Sequence, residues 1–303
     1  MRLAKFLLTA VLAFLSVRTW AGPASSVSQI DFPDETTTTY TDAAGINNRG
    51  EIVGTFRDAR PFEHGFVFRK GEFTALEVLG LHTIPLGIND RGDIVGFGVK
   101  NGDAIQGLLW NKGGGEPTQI GADGKNITYF HGINNRGQVV GHSRLNVHEL
   151  AEAFLWNDGI FTSLDIPGVL VVGRGRESMG INDRGQVVGT CQNQTPPGTH
   201  GFLIERGVAT LIDIPVPGVT ATYASGINNS GQIVGSYFDA NGEHGYLRNA
   251  NGTFTLIQAP NVSGIEPVRL NDRGDIVGMF SAGGKFHGFL FSQPSSLIGL
   301  NRD

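Results

Sequence analysis

The stretch Gly45-Ile46-Asn47-Asn48-Arg49-Gly50-Glu51-Ile52-Val53-Gly54 decides the fold, because it returns five more times. It recurs as GINDRGDIVG from Gly87, GINNRGQVVG from Gly132, GINDRGQVVG from Gly180, GINNSGQIVG from Gly226 and RLNDRGDIVG from Arg269. The steps are 42, 45, 48, 46 and 43 residues. A second element follows each copy: His64-Gly65-Phe66, Gln106-Gly107-Leu108, Glu152-Ala153-Phe154, His200-Gly201-Phe202, His244-Gly245-Tyr246 and His287-Gly288-Phe289. A third comes next, as in Phe73-Thr74-Ala75-Leu76, Phe161-Thr162-Ser163-Leu164 and Phe254-Thr255-Leu256-Ile257.

Each unit therefore parses as four short strands. Strand A ends in Gly-Ile-Asn, B reads Ile/Val-Val-Gly, C is the Phe-Leu-Trp type and D the Phe-Thr-Leu type. Asn-Asp-Arg-Gly between A and B puts a side-chain acceptor at the turn start and glycine where positive φ is needed. Either a four-residue hairpin connection or a type I turn with a bulge glycine fits. Strand C does not alternate: Phe66-Val67-Phe68 and Phe154-Leu155-Trp156 are apolar throughout. A strand with one wet face alternates, so both faces of C are expected to be buried. A sheet stacked between two like sheets achieves that, and a ring of such sheets is a propeller. Repeats of 42 to 48 residues lie in the propeller range. The expected fold is all-β, a six-bladed β-propeller of six four-stranded repeats in one domain over 22–303. Two segments compete to complete the ring: Val27–Pro33, which resembles the D-strand ends Leu164-Asp165-Ile166-Pro167 and Ile212-Asp213-Ile214-Pro215, and Ser296-Leu297-Ile298.

The first residues read differently. Arg2 and Lys5 precede the mostly apolar run Phe6 to Val17, and Thr19-Trp20-Ala21 offers a small-residue cleavage site. This is the pattern of a secretory signal peptide over 1–21, shorter than the about 20 apolar residues of a spanning helix. Secreted or periplasmic localisation follows, with no membrane insertion after cleavage. Removing 1–21 takes away Arg2, Lys5 and Arg18 and no acid, leaving 20 Lys+Arg against 28 Asp+Glu. That acidic balance, without a basic tract, argues against a nucleic-acid partner. Cys191 is the only cysteine, so no internal disulfide is expected and stability must come from burial. The 45 glycines and 17% charged residues fit a turn-rich β protein.

The paired motifs Gly-Ile-Asn-Asp-Arg-Gly-Gln-Val-Val-Gly and His-Gly-Phe-Leu resemble those of the bacterial "extracellular repeat, HAF family" proteins. The resemblance spans roughly residues 27–300, with the His-Ala-Phe triplet read here as His-Gly-Phe three times and as variants elsewhere. It implies export and a repeat β fold, and brings no catalytic residues with it.

No cofactor or metal is expected. Arg91-Gly92-Asp93 and Arg273-Gly274-Asp275 match an adhesion tripeptide, but both are the A–B turn, which elsewhere reads differently. Three of its six copies carry Asn-Asn, too poor in carboxylate for a calcium loop. The polar residue opening strand C (His64, Gln106, Glu152, His200, His244, His287) falls once per unit, and suits a hydrogen bond tying strands or blades better than a shared ion. Val171–Gly175 is glycine-rich but lacks the strand–loop–helix context of a phosphate cradle.

Faithfully repeated A–B and C–D turns read as scaffold, and the variable D–A and B–C connections as the functional face. Funnel candidates there are Asp42, Tyr129, His131, Arg174, Arg176, Glu177, Tyr223 and Glu266. A mixed polar and aromatic funnel suits a glycan, peptide or cell-surface partner, which makes a binding module the leading expectation. The alternative is a secreted polysaccharide hydrolase or lyase using Asp42, Glu177 and Glu266, which requires two carboxylates at a working separation.

Overall fold

A computed structural model of the chain describes residues 17–19, 26–33, 40–58, 63–78, 81–99, 105–146, 148–170, 179–194, 196–258 and 262–292. These residues are all-β, and each repeat is an antiparallel meander in the order A-B-C-D. Unit 1 is Tyr40–Ile46, Ile52–Arg57, Glu63–Arg69 and Glu72–Leu76. Unit 2 is His82–Ile88, Ile94–Val99, Gln106–Trp110 and Thr118–Ile120. Unit 3 is Ile127–Ile133, Val139–Arg144, Glu152–Asn157 and Ile160–Ser163. In units 4 and 5 strand A is split, into Val169–Leu170 and Gly180–Ile181, and into Ala221–Thr222 and Gly226–Ile227. Their B, C and D strands are Val187–Gln194, Pro197–Glu205 and Val208–Ile212, then Ile233–Asp239, Gly242–Arg248 and Phe254–Ile257.

Among the described residues, unit 6 supplies A (Ser263–Leu270), B (Ile276–Ala282) and C (Lys285–Ser292) from its own stretch of chain. Its fourth strand is Ser26–Ile30, antiparallel on C with Ile30 opposite Gly288 and Ser26 opposite Ser292. The N-terminal donor takes the place; the rival Ser296–Ile298 lies outside the described residues. Asp31 also accepts from His287 at 2.8 Å, joining the N-terminal strand to strand C of unit 6 by a side chain as well as by the ladder. Val17–Thr19, inside the expected signal peptide, lies parallel to Phe254–Leu256 at the outer edge of unit 5.

Strand C is buried on both faces, as its composition requires: Phe66 and Val67 are within 2% of full burial. Neighbouring units share their cores. One cluster joins Val140 and Ala153 of unit 3 to Val187, Cys191 and Phe202 of unit 4, and another joins Val95 of unit 2 to Phe130, Phe154 and Trp156 of unit 3. The strand B glycine is dictated by strand A. A bulge in A aims a carbonyl at it, so a Cβ at Gly54, Gly141 or Gly278 would sit 1.9, 2.0 or 1.9 Å from the oxygen of Asp42, Tyr129 or Glu266.

The A–B turns join the units. Asn47 accepts from the backbone N–H of Arg49 and Glu51, both at 3.0 Å, which holds its own turn, while Gly50 takes φ of 77°. Its side-chain amide donates to the carbonyl of Asn89 in the next unit at 3.0 Å. Asn89, Asn134, Asn182 and Asn228 repeat the contact onto Asn134, Asn182, Asn228 and Asn271. Asn271 then donates to Asn47 at 3.1 Å, so the chain of six contacts returns to its start.

A second ring lies beside the first. The next residue in each turn alternates: Asn48, Asp90, Asn135, Asp183, Asn229, Asp272. Each asparagine amide donates to the carboxylates on both sides, as Asn135 does to Asp90 at 2.9 Å and to Asp183 at 3.0 Å. Each backbone N–H donates to the side chain of the following unit at 2.7 to 2.8 Å. Six carboxylates would repel one another, and six amides would face donor to donor. Alternation avoids both, and it closes without a mismatched seam only for an even number of units.

Two substitutions probe this scaffold. Asp183→Asn, nearly isosteric, sets a third amide against the donors of Asn135 and Asn229 and should cost about 3 kcal/mol in urea unfolding. Gly141→Ala should cost at least about 3 kcal/mol, whereas Gly114→Ala, with open space at its Cβ, should leave the melting temperature unchanged.

Candidate functional site

The two ends of the molecule differ in how their polar groups are used. At the A–B turn end, three residues from every unit line the axial depression, and their amides and carboxylates are committed to the two rings. One step inward the collar glycines pack backbone to backbone. A Cβ on Gly45, Gly87, Gly132, Gly180 or Gly226 would lie 3.0 to 3.5 Å from the Cα of its counterpart in the next unit.

The sixth collar position is Arg269, where the repeat motif reads Arg-Leu-Asn instead of Gly-Ile-Asn. Its guanidinium donates from Nη1 to the carbonyls of Ser225 (2.6 Å) and Val268 (3.0 Å), and from Nη2 to those of His131 (2.9 Å) and Met179 (3.1 Å). These carbonyls come from units 3 to 6, so one side chain spans the axis. Burial pushes the Arg269 pKa down to about 10 while the charge of Asp42 pulls it upward, and the group remains a cation at neutral pH. A cavity of about 60 Å³ lies against it among the collar residues. Arginine's fork of donors suits this role, and it makes the passage along the axis blind.

The opposite end carries the expected funnel residues. Asp42, Tyr129, Tyr223 and Glu266 occupy one equivalent position in their units, three residues before the collar, where the partner carbonyl meets the strand B glycine. Asp42 and both tyrosines are half-buried, and Glu266 is buried. Tyr129 is engaged by its neighbours: Phe97 of unit 2 meets it edge-on at 4.6 Å, His142 stacks at 4.5 Å and Arg144 lies over the ring at 6.0 Å. Tyr223 meets Phe238 edge-on at 5.7 Å. His131 is buried, with Nε2 2.9 Å from Nδ1 of His142. Arg174, Arg176 and Glu177, together with the glycine-rich Val171–Gly175, lie outside the described residues. Asp42, Tyr129, His131 and Glu266 thus lie on strand A of their units, and Tyr223 lies between the two pieces of strand A in unit 5.

The histidines opening strand C bind strand D, not one another. His200 Nδ1 is 2.6 Å from Asp213, His287 Nδ1 2.8 Å from Asp31 and His64 Nδ1 3.2 Å from Glu77. In each case the acid follows the last residue of D, so the pair clamps the outer edge of one unit. His244 turns instead to Asp239 at 3.0 Å, at the end of strand B. Among the described residues no three His, Cys, Asp or Glu side chains are placed to share a metal ion.

Arg269 is the axial side chain that motif reading passed over. Its signal was present, as the single non-glycine at a position that five other copies keep as glycine.

No family model matches the chain, and no curated protein does. Solved structures do. The β-propeller domain of the Trilobed protease from Pyrococcus furiosus, described as having an open velcro topology, aligns over 85% of this chain and 80% of its own, at 11% identity and a TM-score of 0.55. An Aleuria aurantia lectin mutant, in complex with a fucose-containing disaccharide, aligns over 83% and 91%, at 13% identity and 0.51. A gluconolactonase from Xanthomonas campestris aligns over 84% and 88%, at 9% identity and 0.51. At such identities the likeness is one of fold, and the fold is that of β-propellers.

The histidine pair predicts a pH response. Burial, reinforced by the charge of Arg144, pushes His142 from its ordinary 6.5 down to about 3. The unfolded chain then takes up a proton near pH 6.5 that the folded one refuses until about pH 3. The contribution is complete above pH 6.5 and is lost as the pH falls, by up to about 1.4 kcal/mol per unit. Urea midpoints from pH 7.5 to 4.5 should fall less steeply in His142→Gln than in the parent protein.

Proposed function

We propose that the chain is an exported member of the HAF extracellular repeat proteins, that its six units close as a six-bladed propeller, and that it acts as a binding module through the D–A and B–C loop face. The cyclic run of asparagine contacts, the alternating second ring and the N-terminal fourth strand of unit 6 support closure. Cleavage after Ala21 removes Val17–Thr19 from the outer edge of unit 5 and leaves all four strands of that unit intact.

One observation carries the choice of face. The A–B turn end spends its polar groups on itself and is blocked by Arg269, whereas the other end departs from the repeat at Asp42, Tyr129, Tyr223 and Glu266, one position in each of four units. A cup that is closed below and individually furnished above suits recognition of a partner from one side. The fucose-bound lectin among the structural relatives makes a glycan a reasonable first partner to try, alongside a peptide or a cell-surface protein.

The test is a glycan array and polysaccharide pull-down on the purified protein, with release of new reducing ends assayed on every hit. Binding without release, weakened about tenfold (about 1.4 kcal/mol) in Tyr223→Ala, is the expected result. Release of new ends would replace this reading with hydrolysis or lysis through Asp42, Glu177 and Glu266. Absence of any hit would turn the reading toward a protein partner or a structural role.

A further inference from the structure

A second candidate site lies on the side of the molecule, between units 2 and 3, and comparison of the units with one another reveals it. Where the N-terminal strand meets unit 1, Phe32 leaves the end of strand D and crosses onto the next sheet. It stacks on Phe56 at 3.7 Å and meets Phe66 and Phe73 at 6.4 and 5.4 Å. Between units 4 and 5 the same four places hold Ile214, Tyr237, Tyr246 and Phe254, in one core cluster. Between units 3 and 4 they hold Ile166, Cys191, Phe202 and Ala209. Between units 2 and 3 they hold Ala122, Ser143, Phe154 and Phe161. The crossing side chain and its strand B partner have both become small there, while the two aromatic rings remain. The result is a cavity of about 350 Å³ lined by all four.

Its chemistry differs from that of a packing defect. Phe154 and Phe161 meet edge-on at 4.9 Å and form an apolar wall. Ser143 and Ser163 add hydroxyls, and Lys125 and Glu152, paired at 2.8 Å, stand at the lining with Asp123. Glu152 replaces the histidine that clamps strand D in units 1, 4 and 6, so its carboxylate is directed to the preceding unit's loop. A pocket of this size is at the small end of the ligand range, enough for a single ring. An aromatic wall takes the C–H face of such a ring, and the hydroxyls, amine and carboxylates take its polar edge. One cation against two carboxylates disfavours an anionic ligand.

We propose that this inter-unit cavity binds one neutral monosaccharide residue, independently of the loop face. The test uses the purified protein and methyl glycosides of fucose, galactose, glucose, mannose and N-acetylglucosamine at millimolar concentration, with glucuronic acid as the anionic control, read by saturation-transfer NMR and calorimetry. At least one neutral glycoside should bind, and glucuronic acid at least about tenfold more weakly. Ala122→Phe restores the residue that fills the first interface. It should abolish that binding while the melting temperature stays level or rises. Glu152→Gln, which leaves the packing untouched, should weaken binding about tenfold and gives the answer even if the bulkier variant fails to fold. No binding by any neutral glycoside, or binding unchanged in both variants, overturns the proposal. Glycan-array hits that persist in Ala122→Phe belong to the loop face, so the two readings fail separately.

Discussion

The structure depends on one property of the asparagine side chain, that it donates and accepts at the same time. In each A–B turn the amide oxygen holds the local backbone and the amide nitrogen reaches the carbonyl of the next unit. Turn formation and unit-to-unit attachment are therefore one event. An aspartate at this position could hold the turn but could not donate onward, and a serine would lack the reach. The adjacent ring adds the complementary constraint. Asparagine and aspartate must alternate around the axis, because each carboxylate needs amide donors on both sides and each amide needs acceptors on both sides.

With the turns drawn together, the inner strands are forced into backbone contact, and this explains why glycine recurs at the collar. It also explains why a single exception is tolerated. One large side chain fits a space that the five collar glycines leave on the axis, and arginine can satisfy four carbonyls at once. Its buried charge is stabilised by those carbonyls and by Asp42. The same logic runs at the periphery. Wherever the crossing residue of strand D and the end of strand B are both large, the inter-unit groove is filled, and where both are small it opens into a cavity. Departures from the repeat are thus meaningful at places where the repeat itself defines the packing.

How much of this was legible depended on whether the cause was local. The A–B turn could be read from Asn-Asp-Arg-Gly because its acceptor and its positive φ lie within five residues. Burial of both faces of strand C could be read from Phe66-Val67-Phe68. The polar residue opening strand C was read as a hydrogen bond tying strands, and His200, His287 and His64 make that bond to the end of strand D. The choice between two closing segments could not be read, since Val27–Pro33 and Ser296–Ile298 both suit an outer strand. The packing of the funnel candidate Tyr129 between Phe97 and His142 could not be read, because those contacts come from residues 32 and 13 positions away.

By itself the sequence determined the unit: its four strands, its turns, its sixfold repetition and which of its ends is uniform. These follow from short-range rules, namely glycine at positive φ, asparagine at a turn and apolar residues on both faces of a strand. Only the tertiary structure decided that Ser26–Ile30 completes unit 6, that Arg269 spans the axis, and that Ala122 and Ser143 face the same gap. Each of these joins residues of different units. Which residues become neighbours across units is set by how the sheets stack, and no periodicity within one unit carries that information.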